Sequence, residues 1–352
     1  MAHERIPLRL VPDLRPDEPA GRDGGVLGAV EVLPGLVRAA LLTRAGAVRA
    51  RAEARFDPAG SDPSLVDAAL REAAAVFDGQ SLLGVGVAAA GVVDPVAGRI
   101  IEVNDAPALR GHPVADRLAE LSGAPVRVEH RARVQVLGDR WFGAGRGRRS
   151  FASVATGDVL GVGILYEGEV LAPPGGRSGA HMTVTASGEF CTCGRRGCWK
   201  TVATTRWLRE RAAEHGFSGG EATLAALVAS DAPAASRLVD RYAENLVLGL
   251  ATVQQLFACG LFVLHGEALD GGERFRALVE SRLRADALGG GELPTVVLGE
   301  AADTGWLVPR SGWSCRGPRT DVTRRLPRGF GGRVRERARR PGGAGCTRPR
   351  AR

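Results

Sequence analysis

Apolar and polar positions repeat with two different periods along the chain, and the change of period separates predicted strands from predicted helices. Residues 28–56 alternate around a turn at Pro34 and Gly35, which predicts two or three strands. A helical period follows over residues 62–77. Residues 150–170 repeat the opening pattern of strand, turn and strand, and helices and strands alternate after both stretches. The repetition predicts an α/β chain of two related lobes with a ligand cleft between them.

Both ends of the chain lack this periodicity. Residues 1–24 are rich in Pro, Asp and Arg and are predicted to be disordered. Residues 303–352 hold fourteen arginines against three acidic residues, so the net charge of +8 is concentrated there and the remaining residues carry about −3. We interpret 303–352 as a disordered basic tail. Out-of-frame translation and unspecific nucleic-acid binding are the other interpretations of this segment. Between the ends, we expect an N-terminal lobe over residues 25–130 and a C-terminal lobe over 131–302.

Apolar segments and cysteines bear on where the protein works. No N-terminal run joins basic residues to an apolar stretch, so we expect a cytoplasmic protein without a membrane partner. The longest apolar window, Leu246 to Leu264, is interrupted by Gln254 and Gln255 and predicts a buried helix running into a strand. Six cysteines, three of them clustered, are more typical of a metal site than of a disulfide framework.

The clustered cysteines lie in HMTVTASGEFCTCGRRGCWK, residues 181–200. Zn²⁺ in structural sites takes four ligands at tetrahedral corners. Cys191, Cys193 and Cys198 supply three, the intervening glycines let the backbone turn back, and His181 can supply the fourth. Four protein ligands leave no position for water, which predicts a structural rather than a catalytic zinc ion. Three reduced cysteines beside a solvated histidine are the alternative.

This stretch resembles the zinc motif of the ROK family, named for repressors, open reading frames and kinases. The resemblance extends over about residues 26–302. It includes GVVD at 91–94, PVRVEH at 125–130, and the paired Gly161 and Gly163. It implies an actin-like, RNase H-like fold of two α/β lobes, and zinc ligands at His181, Cys191, Cys193 and Cys198. Many members are ATP-dependent sugar kinases. Others are sugar-responsive transcriptional repressors with an added N-terminal helix-turn-helix domain.

The phosphate-binding loops depart from the pattern of the family's kinases. An Asp-x-Gly-Gly-Thr turn is replaced by EVLPGLVR at residues 31–38, where Pro34 lacks an N–H donor and Leu36 stands for the threonine. The second loop, Gly-Thr-Gly-x-Gly-x-Gly, is GDVLGVG at residues 157–163. Its Asp158 puts a negative charge where phosphates would lie. We therefore do not expect ATP and Mg²⁺ as cofactors.

The catalytic stretch departs further. The family's kinases carry Val-Glu-Asn-Asp, whose Asn binds sugar and whose Asp accepts the hydroxyl proton. Here the last two residues are His130 and Arg131, and an arginine cannot be deprotonated in a protein. We therefore assign no catalytic residue.

The sugar-contact positions are also changed. A family Glu before the zinc histidine is Ser178 here, or Arg177 if the loop holds one inserted residue, and a Glu after the third cysteine is Lys200. Asn104, together with His130 and His181, remains a candidate sugar contact.

These departures favour a non-catalytic, sugar-sensing protein of the transcriptional-regulator type. Its expected ligand is a small sugar or sugar phosphate, and its expected assembly is a homodimer. Residues 1–25 are too short for a helix-turn-helix, so DNA is a partner only if that domain is supplied. The alternative is an ATP-dependent sugar kinase resembling glucokinases. A zinc-ribbon nucleic-acid binder is disfavoured, because the cysteines lie inside an acidic α/β region.

Overall fold

The computed structural model describes residues 25–44, 46–104, 106–172, 179–287 and 293–299. The predicted disordered N-terminal segment and the basic tail lie outside the described residues, as do Arg177 and Ser178. Among the helices of these ranges, none combines the length and the apolar composition needed to span a bilayer.

The first lobe is built from the strands predicted at the start of the chain. These are β1 (Val26–Leu33), β2 (Leu36–Leu42), β3 (Val48–Arg55), β4 (Leu82–Ala89), β5 (Val92–Asp94), β6 (Arg99–Glu102) and β7 (Val126–His130). Five of them form a sheet in the order β3-β2-β1-β4-β7, while β5 and β6 form a separate hairpin. β2 pairs antiparallel with β1 and β3, whereas β4 pairs parallel with β1 and β7. The predicted turn joins β1 to β2, and Gly35 takes its positive φ of 76°.

The second lobe repeats this arrangement. Its strands are β8 (Phe151–Thr156), β9 (Gly161–Tyr166), β10 (Glu169–Val170), β11 (Leu261–Gly266) and β12 (Thr295–Leu298). Their order is β10-β9-β8-β11-β12, with antiparallel pairing on the hairpin side and parallel pairing on the other. Two mixed sheets of equal strand order confirm the prediction of two related α/β lobes. The exact boundaries of 25–130 and 131–302 remain a prediction.

Helices cover the sheets. They are α1 (Pro63–Ala74), α2 (Val114–Ser122), α3 (Arg131–Trp141), α4 (Thr205–Glu214), α5 (Leu224–Ala229), α6 (Pro233–Phe257), α7 (Glu267–Asp270) and α8 (Gly272–Ala285). The Asp62 side chain caps α1 by accepting from the Ser64 N–H at 2.9 Å, and Pro63 occupies the first turn.

The predicted helix running into a strand is α6 followed by β11. The helix ends at Phe257 because Ala258 turns to a positive φ of 45°. Cys259, which follows this turn, is buried.

Each lobe has its own apolar core. In the first lobe, α1 and α2 bury Leu70 and Leu118 against the sheet, and in the second, α6 and α8 bury Tyr242 and Phe275. α3 begins directly after β7 of the first sheet and packs on β8 and β9 of the second. A Cβ at Gly163 would lie 1.9 Å from the Ala132 carbonyl oxygen, so the glycine permits this close packing. The start of α3 is therefore fixed at the junction of the two lobes.

Candidate functional site

A cleft of about 120 Å³ opens at the start of α3 and is lined by residues of both lobes. The first lobe contributes the turn after β1, the end of β4 and the segment after β6. The second lobe contributes the loop between β8 and β9 and the residues that flank the cysteine cluster. The predicted sugar contacts Asn104, His130 and His181 all line this cleft, and so do Arg131 and Lys200. Contact of the first three with a sugar remains a prediction.

His130 is half-buried and caps α3. Its Nδ1 accepts a hydrogen bond from the Ala132 N–H at 3.2 Å. Burial, and then the positive charges of Arg133 and Arg131, lower the pKa of His130 to about 4. The imidazole is therefore neutral at pH 7. Because Nδ1 is an acceptor, the ring carries its proton on Nε2, which makes His130 a hydrogen-bond donor at the cleft.

Arg131, at the position of the family's catalytic Asp, is the first residue of α3. Its Nε donates to Oε1 of Glu31 at 2.7 Å, and Glu31 lies on β1 with a fully buried side chain. Arg38 approaches the other oxygen of Glu31 at 3.5 Å. The ion pair therefore ties the lobe junction to the central strand of the first sheet. The sequence did not predict this contact, although Glu31 and Arg131 both stand at positions where the resemblance expects another residue.

The loop between β8 and β9 is also closed by an internal ion pair. Asp158 accepts two hydrogen bonds from Arg209, at 2.8 and 2.9 Å, and a third from Thr205 Oγ1 at 2.8 Å. Pro34 lines the cleft on the opposite wall and offers no N–H. A phosphate chain entering here would lie between the carboxylate of Asp158 and Pro34, which has no N–H to donate. Neither the Pro34 nitrogen nor the Asp158 side chain can therefore donate a hydrogen bond to a phosphate.

The four predicted zinc ligands lie together. The ligand atoms of His181, Cys191, Cys193 and Cys198 are all within 4.8 Å of one another. A tetrahedral zinc ion with Zn–S near 2.3 Å requires sulfur atoms about 3.8 Å apart and sulfur and nitrogen atoms about 3.5 Å apart. The Cys193 and Cys198 sulfurs are 3.6 Å apart, and Nδ1 of His181 lies 3.4 Å from the Cys191 sulfur. The donor set and its spacing therefore fit a zinc ion.

The backbone of the zinc loop, residues 181–198, explains how the ligands converge. Gly194 and Gly197 have positive φ angles of 83° and 67°. A Cβ at Gly197 would lie 1.6 Å from the Thr185 carbonyl oxygen, so no larger residue fits there without a shift of the chain. Burial works against a thiolate at Cys193, but hydrogen bonds led by the Arg195 backbone lower its pKa to about 7. A thiolate, the form that binds metal, is thus accessible near neutral pH.

The zinc loop is joined to the core by the residue that follows it. Trp199 is fully buried, and its Nε1 donates to the Asn245 carbonyl oxygen on α6 at 2.8 Å. A Cβ at Gly249 would lie 2.3 Å from the indole ring, so α6 has a glycine where the ring packs. The next residue, Lys200, lines the cleft. The loop therefore holds one wall of the cleft in place.

A second polar cluster lies beneath α3 and was not predicted. Ser153 Oγ donates to Oδ2 of Asp139 at 2.5 Å, and Nε2 of His265 lies 2.8 Å from the same oxygen. All three side chains are buried. Because Ser153 and His265 both bond to Asp139 and not to each other, the cluster lacks the serine–histidine contact of a nucleophilic triad. It fastens α3 to β8 and β11.

Both the sequence and the fold are similar to those of known proteins. The sequence profile of the ROK family matches residues 37–296. The glucokinase of Halalkalibacterium halodurans is 28% identical over 253 residues, which cover 64% of this chain and 76% of that protein. The xylose repressor of Bacillus spizizenii is 29% identical over 131 residues, which cover 36% of this chain and only 33% of the repressor.

Among solved structures, the ROK family glucokinase of Streptomyces griseus, in complex with glucose and AMPPNP, is similar to this chain. The TM-score is 0.68 at 24% identity, and the match covers 80% of this chain and 97% of that structure. This likeness confirms the predicted two-lobed, actin-like fold. The expectation that the chain stands nearer to the repressors is not supported, because the glucokinase match covers a larger share of the chain.

Proposed function

The chain belongs to the ROK family, and from this premise we propose that it is a non-catalytic, sugar-sensing protein of the regulator type. The observation that carries the proposal is Arg131, with its ion pair to the buried Glu31. Phosphoryl transfer to a sugar needs a group that accepts the hydroxyl proton, and general-base catalysis contributes about 10²–10⁴ in rate. A guanidinium cannot accept that proton at any physiological pH. Glu31 further holds the Arg131 side chain in place.

The nucleotide side of the cleft supports the same proposal. In a phosphoryl-transfer site, backbone N–H groups and cations stabilise the phosphates. Here Arg209, a cation of the second lobe, is already paired with Asp158. Pro34 and Asp158 lie on opposite walls of the cleft and both disfavour a phosphate chain. Loss of the base and loss of the phosphate loops therefore act on the same reaction.

Sugar binding requires hydroxyl partners rather than a base, and the cleft retains them. The Asn104 amide can donate and accept, and the neutral His130 can donate from Nε2. We propose that these two side chains orient a sugar between the lobes. His181 lines the same cleft, but its Nδ1 faces Cys191 in the zinc cluster. His181 therefore either holds the cleft wall in place through the zinc cluster or donates a hydrogen bond to the sugar from Nε2.

An ATP-dependent sugar kinase is the second candidate, and the comparisons favour it over the regulator type. The glucokinase of H. halodurans matches 64% of this chain, whereas the xylose repressor matches 36%. An enzyme of this kind would need another residue to accept the sugar proton in place of Arg131.

A coupled assay for ADP release separates the two candidates. The purified chain is incubated with MgATP and, in turn, glucose, N-acetylglucosamine or mannose, with the sugar omitted as background. We expect no sugar-dependent ADP release. Arg131→Asp is the matched variant, and we expect it to remain inactive because Pro34 and Asp158 still oppose the nucleotide. Since this variant leaves the buried Glu31 without its main cation, its circular dichroism spectrum is first compared with that of the unmodified chain. Sugar-dependent turnover by the unmodified chain would overturn the proposal in favour of the kinase.

A further inference from the structure

We infer that the cleft selects a sugar bearing an anionic group, a phosphoryl or a carboxylate, and that Arg131 binds this group. The inference rests on the proposed sugar-binding function and names the class of sugar. It starts from the way Arg131 is held. Its Nε is used by Glu31 at 2.7 Å, which fixes the plane of the guanidinium. Within the part of the chain that the structure describes, its two terminal amino groups make no hydrogen bond.

The accessibility of Arg131 agrees with a ligand-facing role. Its side chain is 23% exposed, while its partner Glu31 is fully buried on the side away from solvent. A guanidinium pinned through Nε presents its remaining N–H groups as a planar fork, and such a fork matches the paired oxygens of a phosphate or a carboxylate. A neutral hydroxyl would engage only part of it.

Further positive character surrounds Arg131. His130, Arg131 and Ala132 form the start of α3, an eleven-residue helix, and all three line the cleft. The N-terminus of a helix carries a partial positive charge that adds to the charge of the guanidinium. Lys200 lines the same cleft from the zinc-loop side. The cations thus come from both walls.

The acidic groups near the cleft leave this positive character in place. Glu31 is shared between Arg131 and Arg38, and Arg38 also approaches the exposed Glu53 at 3.7 Å. Asp158 lies on the nucleotide side of the cleft, in the loop between β8 and β9, and is paired with Arg209 rather than with Arg131. Glu102 is the other carboxylate of the lining, on the wall formed by the first lobe. We therefore place the hydroxyls of the sugar toward Glu102 and its anionic group toward Arg131.

Calorimetric titration of the full chain tests the inference with four probes: glucose, glucose 6-phosphate, glucuronic acid and inorganic phosphate. We expect glucose 6-phosphate or glucuronic acid to bind at least about tenfold more tightly than glucose, since charge-assisted hydrogen bonds are the stronger kind. The two acids distinguish a phosphoryl from a carboxylate ligand. The preference should shrink as NaCl is raised, because salt screens the charge of Arg131. Inorganic phosphate should compete with the anionic sugar.

Variants assign the preference to Arg131. Arg131→Gln alone would leave Glu31 buried without its main partner, so the test uses the double variant Glu31→Gln/Arg131→Gln, which removes both charges. We expect this protein to bind glucose and glucose 6-phosphate alike. Arg131→Lys keeps a charge but loses the fork, and should retain only part of the preference. Arg127→Gln removes an exposed arginine from β7, the strand that precedes α3, and should leave the preference unchanged.

The outcomes separate this inference from the proposed function. If neutral glucose binds as tightly as the anionic sugars, or if the double variant keeps the preference, the inference is overturned while sugar sensing stands. If neither neutral nor anionic sugars bind, both the inference and the proposed sugar-sensing function are contradicted. If sugar-dependent ADP release appears, the proposed function falls, whatever the charge preference.

Discussion

The zinc loop and the phosphate loops border the same cleft, but they differ in how much of the family pattern they retain. In the zinc loop, all four ligands, the two turning glycines and the anchoring tryptophan are in place. In the phosphate loops, residues 31–38 and 157–163, polar groups that could meet a ligand are paired within the protein instead. The physical difference is that a structural zinc ion stabilises the fold permanently, whereas a phosphate ligand stabilises it only while the ligand is bound. A protein can therefore lose the second and keep its fold.

Removal of a zinc ligand should produce the largest effect. We expect Cys193→Ser to lose the metal and to lower Tm by roughly 10 °C, since structural zinc stabilises the fold directly. Elemental analysis should find one zinc per chain before the substitution. The control is Cys259→Ala, a buried cysteine outside the cluster, which should keep its zinc. Far less than one equivalent in the unmodified protein would contradict the zinc assignment.

The Glu31–Arg131 pair should give the next largest effect. Arg131→Gln strands a fully buried carboxylate, which we expect to lower the free energy of unfolding by about 3 kcal/mol. The double variant Glu31→Gln/Arg131→Gln should recover most of this loss. Denaturant unfolding of the two single variants and the double variant measures the coupling. Additive effects would mean that the pair does not hold the junction of the lobes.

Two glycines of the zinc loop offer a matched comparison. Both have positive φ, but a Cβ at Gly197 meets the Thr185 carbonyl oxygen at 1.6 Å, whereas nothing lies within 4 Å of one at Gly194. We expect Gly194→Ala to cost about 1 kcal/mol through backbone strain alone, and Gly197→Ala to cost at least about 2 kcal/mol. Zinc affinity measured by competition with a chelator should follow the same order. Equal losses of stability in the two variants would show that backbone strain, and not the close approach to Thr185, determines the cost of a side chain in this loop.

The Asp158–Arg209 pair should show the smallest effect. Its side chains are 58% and 49% exposed, and exposed ion pairs contribute about 0–1 kcal/mol. We expect Asp158→Asn to lower the free energy of unfolding by less than about 1 kcal/mol, with an unchanged dependence on denaturant concentration. A loss comparable to that of Arg131→Gln would remove the contrast between a structural and a dispensable region.

Local signals explain why some parts of this structure were predictable. The run of α6 into β11 was predicted because the long apolar window from Leu246 to Leu264 is interrupted by Gln254 and Gln255. The zinc ligands lie within eighteen residues and share one chemistry, so their spacing was sufficient. In each case, the interaction that decides the structure is close in sequence.

Long-range pairs explain what was missed. Glu31 and Arg131 are 100 positions apart, and His265 lies 126 positions from Asp139. The sequence around each of these four residues does not indicate its partner, because the fold alone brings the two members of each pair together. The same holds for His130, whose half-buried capping position depends on the packing of α3 between the lobes. A sequence pattern indicates which groups are unusual, and the fold determines what they contact.

Cys198, Trp199 and Lys200 are consecutive, yet each serves a different environment: the metal, the core of the second lobe and the cleft. Because the three residues are consecutive, we expect a change in chain length here to disrupt at least one of these contacts. Deleting or inserting one residue between them would move the indole out of its place on α6 or take a sulfur away from the other three ligands. Point substitutions can accumulate in the loops around the cleft, but the spacing of this tripeptide is fixed by three independent constraints. For protein engineering, we expect a substitution at Lys200 to be tolerated, and a change in the length of the segment that carries it to disturb the fold.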